Sequence, residues 1–262
     1  MHAFVFAAGR GTRLRPDTDE TPKPLLDIGN KSLLERCLRT VVDAGIDEIV
    51  IVVGYRSNEI VDAIGESFGG VPVTYAHQTE RKGLAHAVRR AFEDGYGLSL
   101  ESTEPPDSLP NRFPNDVMTV NGDNVFDGCD LGRLRERHTN PSVDGTLLVD
   151  RVSRNEAEST ARLDRTPDGV VRGIESTVTG GETGAKPAEI AAGVQTHDGR
   201  SLLESCLRVD RAQSGEYELT DALERLVRTG SRYVGVEADG WHLNVNTPAD
   251  LETARDRFDD AS

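Results

Sequence analysis

The sequence predicts an α/β fold built on a doubly wound, mostly parallel sheet. Two observations carry this. Short apolar runs alternate with segments whose apolar residues recur at helical spacing. The first of these runs ends in a glycine-rich turn, "AAGRGTRLRP" at 7–16, of the kind that meets phosphate after a strand.

The elements follow in order. "HAFVFAA" (2–8) is the first strand, and "SLLERCLRTVVDAG" (32–45) is a helix ending at Gly45. "EIVIVVG" (48–54) is a continuous β-branched run, as expected of a strand buried on both faces. "SNEIVDAIGESF" (57–68) reads as a helix with Ser57 as its N-cap. "VPVTYAHQ" (71–78), "GLAHAVRRAFED" (83–94) and "DVMTVNG" (116–122) read as strand, helix and strand. This β-α-β-α-β-α-β order implies parallel strands with helices on both faces. Between Leu98 and Asn115 the periodicity lapses around four prolines. That stretch reads as a surface excursion, either a plain insertion or a lid over the site.

Downstream, "DGTLLVDRV" (144–152), "TARLDRT" (160–166), "GVVRGIES" (169–176) and "AEIAAGVQTHD" (188–198) read as strands. The middle two are joined by "PDG" as a hairpin. "RSLLESCL" (200–207), "YELTDALERLVRTG" (217–230) and "PADLETARDRF" (248–258) read as helices, and 231–246 as strand with a turn at Asp239–Gly240. The chain reads as one domain. Residues 1–128 form a nucleotide-binding half, and 129–262 form a mixed half that completes the pocket.

Composition narrows the partners. The 262 residues include 45 acidic against 30 basic, a formal net charge of −15, and the lysines are only Lys23, Lys31, Lys82 and Lys186. Such a surface does not suit nucleic acid or an anionic membrane. It fits a halophilic protein whose carboxylates stay hydrated while salt screens their repulsion. No apolar run approaches 18 residues, so no membrane span is expected. The opening lacks the charged region of a signal peptide. The cysteines, Cys37, Cys129 and Cys206, are too sparse for a disulfide framework or a metal cluster. These features together read as a cytoplasmic protein. Oligomeric state is left open, a homo-oligomer included. Against the acidic background, Arg10, Arg13, Arg15 and Lys23 cluster, as do Arg81 and Lys82.

The glycine loop is defined first by elimination. A dinucleotide fingerprint needs a third glycine where Leu14 stands and an acid after the second strand, where "VVGYRS" stands. The ATPase pattern G-x-x-x-x-G-K-[ST] is absent. What fits is A-A-G-x-G-T-R-L-x-P followed by P-K-P-L-L. With "TPKPLL" (21–26), "GLAHAV" (83–88), "NGDNVF" (121–126), "YELTDAL" (217–223) and "WHLNVNTPADL" (241–251), the chain resembles the sugar-1-phosphate nucleotidyltransferases. The resemblance is to the glucose-1-phosphate uridylyl and thymidylyl type, and its motifs span nearly the whole chain in order. It implies a Rossmann-like nucleotidyltransferase fold with a sugar-binding second half. It also implies Mg²⁺-dependent transfer of a nucleotidyl group from a nucleoside triphosphate to a sugar-1-phosphate, releasing pyrophosphate. UTP or dTTP and glucose-1-phosphate are the favoured substrates.

Ala8, Gly9, Gly11 and Thr12 form the loop, whose glycines let main-chain N–H groups approach the nucleotide. Arg13 can fork onto the β- and γ-phosphates. Lys23, held between Pro22 and Pro24, can bridge the sugar phosphate and the α-phosphate. Arg13, Lys23 and Asp123 form the expected catalytic set. No general base is required, because the sugar phosphate is already ionised at neutral pH. In the family, a glutamine at Gln78 reads the pyrimidine edge; Gly83 would let the chain pass the base, and His86 reads as a packing or surface residue. Asp123 is the expected Mg²⁺ ligand. The resemblance adds Asn244, although the family often carries aspartate in that motif. For the sugar phosphate and sugar it points to Lys23, Asn124, Glu175 and Gly193. Lys186 would stand in for the lysine the family carries where this chain has Ser176. Asn244 and Ser176 also motivate a competing reading, a sensing module that binds sugar nucleotides without making them. Cytidylyl and guanylyl transfer to other phosphates are the alternatives within the enzyme class.

Overall fold

A computed structural model describes residues 1–100, 102–152, 162–175, 188–212 and 214–259. Its centre is four parallel strands, β1 (His2–Ala7), then β4 (Glu48–Val53), β6 (Val71–His77) and β7 (Asp116–Asn121) in the chain's strand count. The two-residue strands β2 (Asp27–Ile28), β3 (Lys31–Ser32) and β5 (Ser67–Phe68) lie between them in sequence. In space the order is β7-β1-β4-β6, with Phe4 opposite both Val50 and Thr119. The chain winds one way from β1 to β4 and β6, then crosses back to the other flank of β1. The switch point therefore falls between β1 and β7, and ligands of such sheets gather at the carboxyl ends there.

The strands are buried on both faces, which is why they read as unbroken apolar runs. Ala3, Val5, Ile49 and Ile51 pack against α1 (Leu33–Asp43) and α2 (Ser57–Ile64). Phe4, Phe6, Val50 and Val52 pack against α3 (Leu84–Tyr96). Each of the valine, isoleucine and phenylalanine side chains contributes about 1.5–3 kcal/mol of burial. A capping box starts α1: the Ser32 hydroxyl accepts from the Glu35 N–H at 3.3 Å, and the Glu35 carboxylate accepts from the Ser32 N–H at 2.7 Å.

Two expectations are corrected in this half. Ser57 is the first helical residue and not the cap of α2; Arg56 takes that place with φ of 54°. The helix stops at Ile64 because Gly65 turns the chain, and Ser67–Phe68 pairs with β6. The excursion after Leu98 is neither helix nor strand among the described residues, yet it is anchored. Leu98 and Leu100 are buried, Phe113 stacks on Phe92 with ring centroids 5.1 Å apart, and Arg112 pairs with Glu48 at 2.8 Å. Glu48 begins β4, so the excursion sits at the amino ends of the parallel strands. A lid over the carboxyl ends is thereby ruled out for these residues.

The second half continues the same sheet. Its elements are β8 (Asn124–Asp127), α4 (Gly132–His138), β9 (Gly145–Val152), β10 (Arg162–Arg165) and β11 (Val171–Glu175). Then come β12 (Ala188–Asp198), α5 (Gly199–Leu207), α6 (Leu219–Arg228), β13 (Tyr233–Glu237), β14 (Trp241–Asn244) and α7 (Pro248–Asp259). β12 runs antiparallel to β7 and pairs on its other side with β9 and β10; β13 lies parallel to β9. The hairpin at "PDG" forms, with Thr166 and Val170 closing it and Gly169 at φ of 86°. The Asp239–Gly240 turn separates two strands that join different sheets: β13 extends the main one, and β14 pairs antiparallel with β8. α4 and β8 were not anticipated, the first because its heptapeptide GRLRERH carries a single apolar side chain, Leu134, and shows no helical period. No helix among the described residues is long and apolar enough to cross a membrane. Cys37, Cys129 and Cys206 are free thiols.

Candidate active site

The loop after β1 is shaped from below. Gly11 has φ of 65°, and a Cβ on it would lie 2.8 Å from the Lys23 Cβ and 2.9 Å from the Thr18 methyl. Only glycine lets the loop close over the Lys23 stem. A Cβ at Gly9 would meet nothing within 4 Å, so that glycine faces open cleft. Leu14, standing where a dinucleotide loop has its third glycine, is fully buried with Leu26, Leu33, Val125, Val245 and Leu251. This apolar plug fastens the loop to three other segments, each of which delivers a polar group.

Those groups meet at Lys23, only 7% exposed. Its ammonium donates to Asp123 Oδ2 at 2.7 Å and to Asn246 Oδ1 at 3.1 Å. An ammonium has three protons, so one is left for a ligand. Arg13 donates to the same Asn246 oxygen at 2.9 Å. Asp123 is placed by the backbone around it: the Gly122 N–H donates to Phe6 O and the Val245 N–H to Asp123 O, both at 2.9 Å. Its second oxygen, Oδ1, is buried with no hydrogen-bond partner among the described residues.

Asn246 was not anticipated. It is fixed by the cap of α7, where the N–H groups of Asn246 and Thr247 both donate to the Asp250 carboxylate, at 2.9 and 2.7 Å. The expected ligand Asn244 is one step removed. Its Oδ1 accepts from Asn246 Nδ2 at 2.8 Å, so it orients Asn246, and Asn246 holds Lys23 and Arg13. The T-P-A-D run after Asn246 is a cap signature, and could have drawn attention to the residue in front of it.

The cleft is continuous. A cavity of about 310 Å³ is lined by Gly9, Thr12, Arg13, Lys23 and Asp123, and one of about 250 Å³ by Ala8, Gln78, Gly83 and Asn121; Phe6, Gly9, Arg81 and Asp123 line both. Arg81 stands exposed at their junction with no partner among the described residues. Arg10 lies over the Tyr55 ring at 5.4 Å and lines the first cavity, whereas Arg15 points outward to Asp19. On a chain of net charge −15 this local excess of cations draws anionic ligands inward.

At the far end, Gln78 is 5% exposed and its amide nitrogen donates to Gly83 O at 3.0 Å. The same nitrogen lies 3.0 Å from His86 Nδ1. Burial pushes the His86 imidazole down to about 4, and Arg89, Lys82 and Arg90 push the same way, so the ring is neutral at pH 7. His86 is thus a partner of Gln78 and not a bland packing residue. Gly83 also has a structural reason: at φ of 92°, a Cβ there would lie 2.4 Å from the Tyr217 carbonyl. The Lys82–Ala85 segment hydrogen-bonds to Tyr217 on both sides, through Tyr217 N to Lys82 O at 2.7 Å and Ala85 N to Tyr217 O at 2.9 Å. Gly83→Ala is expected to cost about 2–4 kcal/mol of stability through clash and strain, read by urea denaturation. A midpoint equal to wild type would refute this.

Two sugar-side expectations change. Asn124 is fully buried and donates to Ala192 O at 3.0 Å, so it braces β12 from below the cleft; Asn121 lines the cleft instead. Gly193 is explained by the same packing, since a Cβ would lie 2.7 Å from Asn124 Nδ2 and 2.8 Å from Asn121 Nδ2. It makes room for two asparagines. Glu175 is the last residue of β11, and its side chain, like Ser176 and Lys186, falls outside the described residues.

A glycine loop at the switch point, a lysine–aspartate pair and a base-sized recess define a protein that binds nucleoside phosphates on an α/β scaffold. The family model for nucleotidyl transferases matches residues 2–258, and the chain belongs to that family. It is 32% identical to UTP–glucose-1-phosphate uridylyltransferase AglF of Haloferax volcanii, over 98% of this chain and 96% of that one. It is 29% identical to glucose-1-phosphate thymidylyltransferase of Streptomyces antibioticus, over 96% of this chain but 64% of that one. A solved UDP-glucose pyrophosphorylase in complex with UDP-glucose shares the fold, with a TM-score of 0.79 at 18% identity, covering 100% of this chain and 99% of that one.

Proposed function

We propose that the protein transfers a nucleotidyl group from UTP or dTTP to a sugar-1-phosphate, with glucose-1-phosphate favoured, and releases pyrophosphate. The observation that carries this is Lys23 bonded to both Asp123 and Asn246, with Arg13 on the same Asn246 oxygen, in a cleft whose other end holds Gln78. The sugar-phosphate oxygen attacks the α-phosphorus in line, and pyrophosphate departs. Positioning and charge neutralisation supply the catalysis. Lys23 uses its third proton on the phosphates, Arg13 holds the departing pyrophosphate, and Arg81 meets the nucleotide between base and phosphates.

The donor set suits Mg²⁺, which takes one or two protein oxygens and completes its shell with water and phosphate. Asp123 Oδ1 is a buried oxygen with no hydrogen-bond partner among the described residues, and the Asn246 carboxamide oxygen accepts from the ammonium that Asp123 Oδ2 also holds. Those two residues would hold the ion, which when bound neutralises charge on the phosphates. The acidic surface favours a halophilic, cytoplasmic setting. Retention of the lysine–aspartate–arginine constellation argues against a sensor.

The deciding experiment is a panel of the four common nucleoside triphosphates against several hexose-1-phosphates with Mg²⁺, scored by pyrophosphate release and product mass. UDP- or dTDP-glucose is the expected product. Tight nucleotide binding with no nucleotide sugar formed from any pair would replace the enzyme by the sensing module.

A further inference from the structure

Gln78 and His86 together set the hydrogen-bonding sense of the base recess. A carboxamide offers two N–H donors and one acceptor oxygen. The Gly83 carbonyl is acceptor-only, so the atom 3.0 Å from it is the amide nitrogen. The second N–H is directed to His86 Nδ1, also at 3.0 Å. That nitrogen accepts only when the ring is neutral with its proton on Nε2, and the ring's burial beside Lys82, Arg89 and Arg90 keeps it neutral. Both amide protons are thereby engaged. The oxygen, Oε1, has no partner among the described residues, and Gln78 lines the cavity. Turning the amide over would set two oxygens against each other at Gly83 and strand an acceptor at His86, both unfavourable where water is excluded.

We propose that His86 is a positioning residue that locks Gln78 as a hydrogen-bond acceptor toward the nucleobase, so that the cleft selects bases bearing a ring N–H. Uracil and thymine present N3–H, and guanine presents N1–H. Cytosine N3 and adenine N1 carry a lone pair in the same place and would face Oε1 acceptor to acceptor. Such a mismatch discriminates far more strongly than shape alone. The inference rests on the cleft being a nucleotide site, and it narrows the base without reference to the sugar.

The test compares the kcat/KM ratio for UTP over CTP in wild type, His86→Leu and His86→Asn. Leucine removes the acceptor, and asparagine can return an oxygen near the position of Nδ1. Wild type is expected to favour UTP strongly, His86→Leu to lose about tenfold or more of the ratio, and His86→Asn to recover most of that loss. An unchanged ratio in folded His86→Leu, or an equal loss in His86→Asn, overturns the proposal. A measurement on the unaltered protein is independent of how the variants fold. The ¹⁵N-histidine spectrum at neutral pH should show His86 with Nδ1 unprotonated, and an Nδ1–H tautomer would overturn the lock. Failure of wild type to use any triphosphate refutes the proposed function instead, and so is distinguishable from failure of the lock.

Discussion

Lys23→Ala is expected to lower turnover by about a thousandfold, roughly 4 kcal/mol at the transition state, while the protein still folds. Among the described residues Lys23 is the one cation that touches both Asp123 and Asn246, and it is nearly buried. A bulk solvent cation cannot replace it there. Alanine leaves the Asp123 carboxylate without a hydrogen-bond partner at either oxygen. Removing one member of a fully buried pair costs about 3–5 kcal/mol. The Asp123 side chain is 28% exposed, so water recovers much of this, and a loss of about 1–2 kcal/mol is expected. Pyrophosphate release and urea denaturation on one preparation read both effects. Turnover within tenfold of wild type would remove Lys23 from the reaction.

Asp123→Asn should reduce turnover to a similar degree by a different route. The substitution keeps the shape and the backbone bonds from Gly122 and Val245 but removes the charge. On the proposed reading Mg²⁺ would then lose an anionic protein ligand, and affinity for the ion is expected to drop by about tenfold or more in titrations with bound nucleotide. Thermal midpoint should move little. An unaltered metal requirement for turnover in Asp123→Asn would show that Oδ1, despite its missing partner, does not serve the ion.

Much of this was legible in the sequence because the decisive features are local. The parallel core could be read from continuous runs such as Ile49–Val53, since burial on both faces leaves no polar alternation to confuse the period. The glycine loop and its Lys23 partner could be read from spacing and from Pro22 and Pro24. What resisted were features fixed by distant partners. Asn244 and Asn246 are equally polar and two residues apart; the cap of α7 and the pairing of β14 with β8 decide which one reaches Lys23. That Gly193 also accommodates Asn121 and Asn124 is visible only once β12 is packed beside them. His86 gained its meaning only when α3 set its ring beside Gln78. The turn at Asp239–Gly240 could be read, but nothing local records that the strands on its two sides join different sheets.

The span of the Arg13–Asn246 contact, 233 residues, bears on how the protein is made. Ribosomes deliver the phosphate loop well before Asn246. The apolar plug around Leu14 draws on Val245 and Leu251 and is likewise incomplete until then. A nascent chain therefore carries the glycine loop before Asn246 stands opposite it. The phosphate loop and its counterpart are therefore joined only when segments far apart in the chain dock on each other.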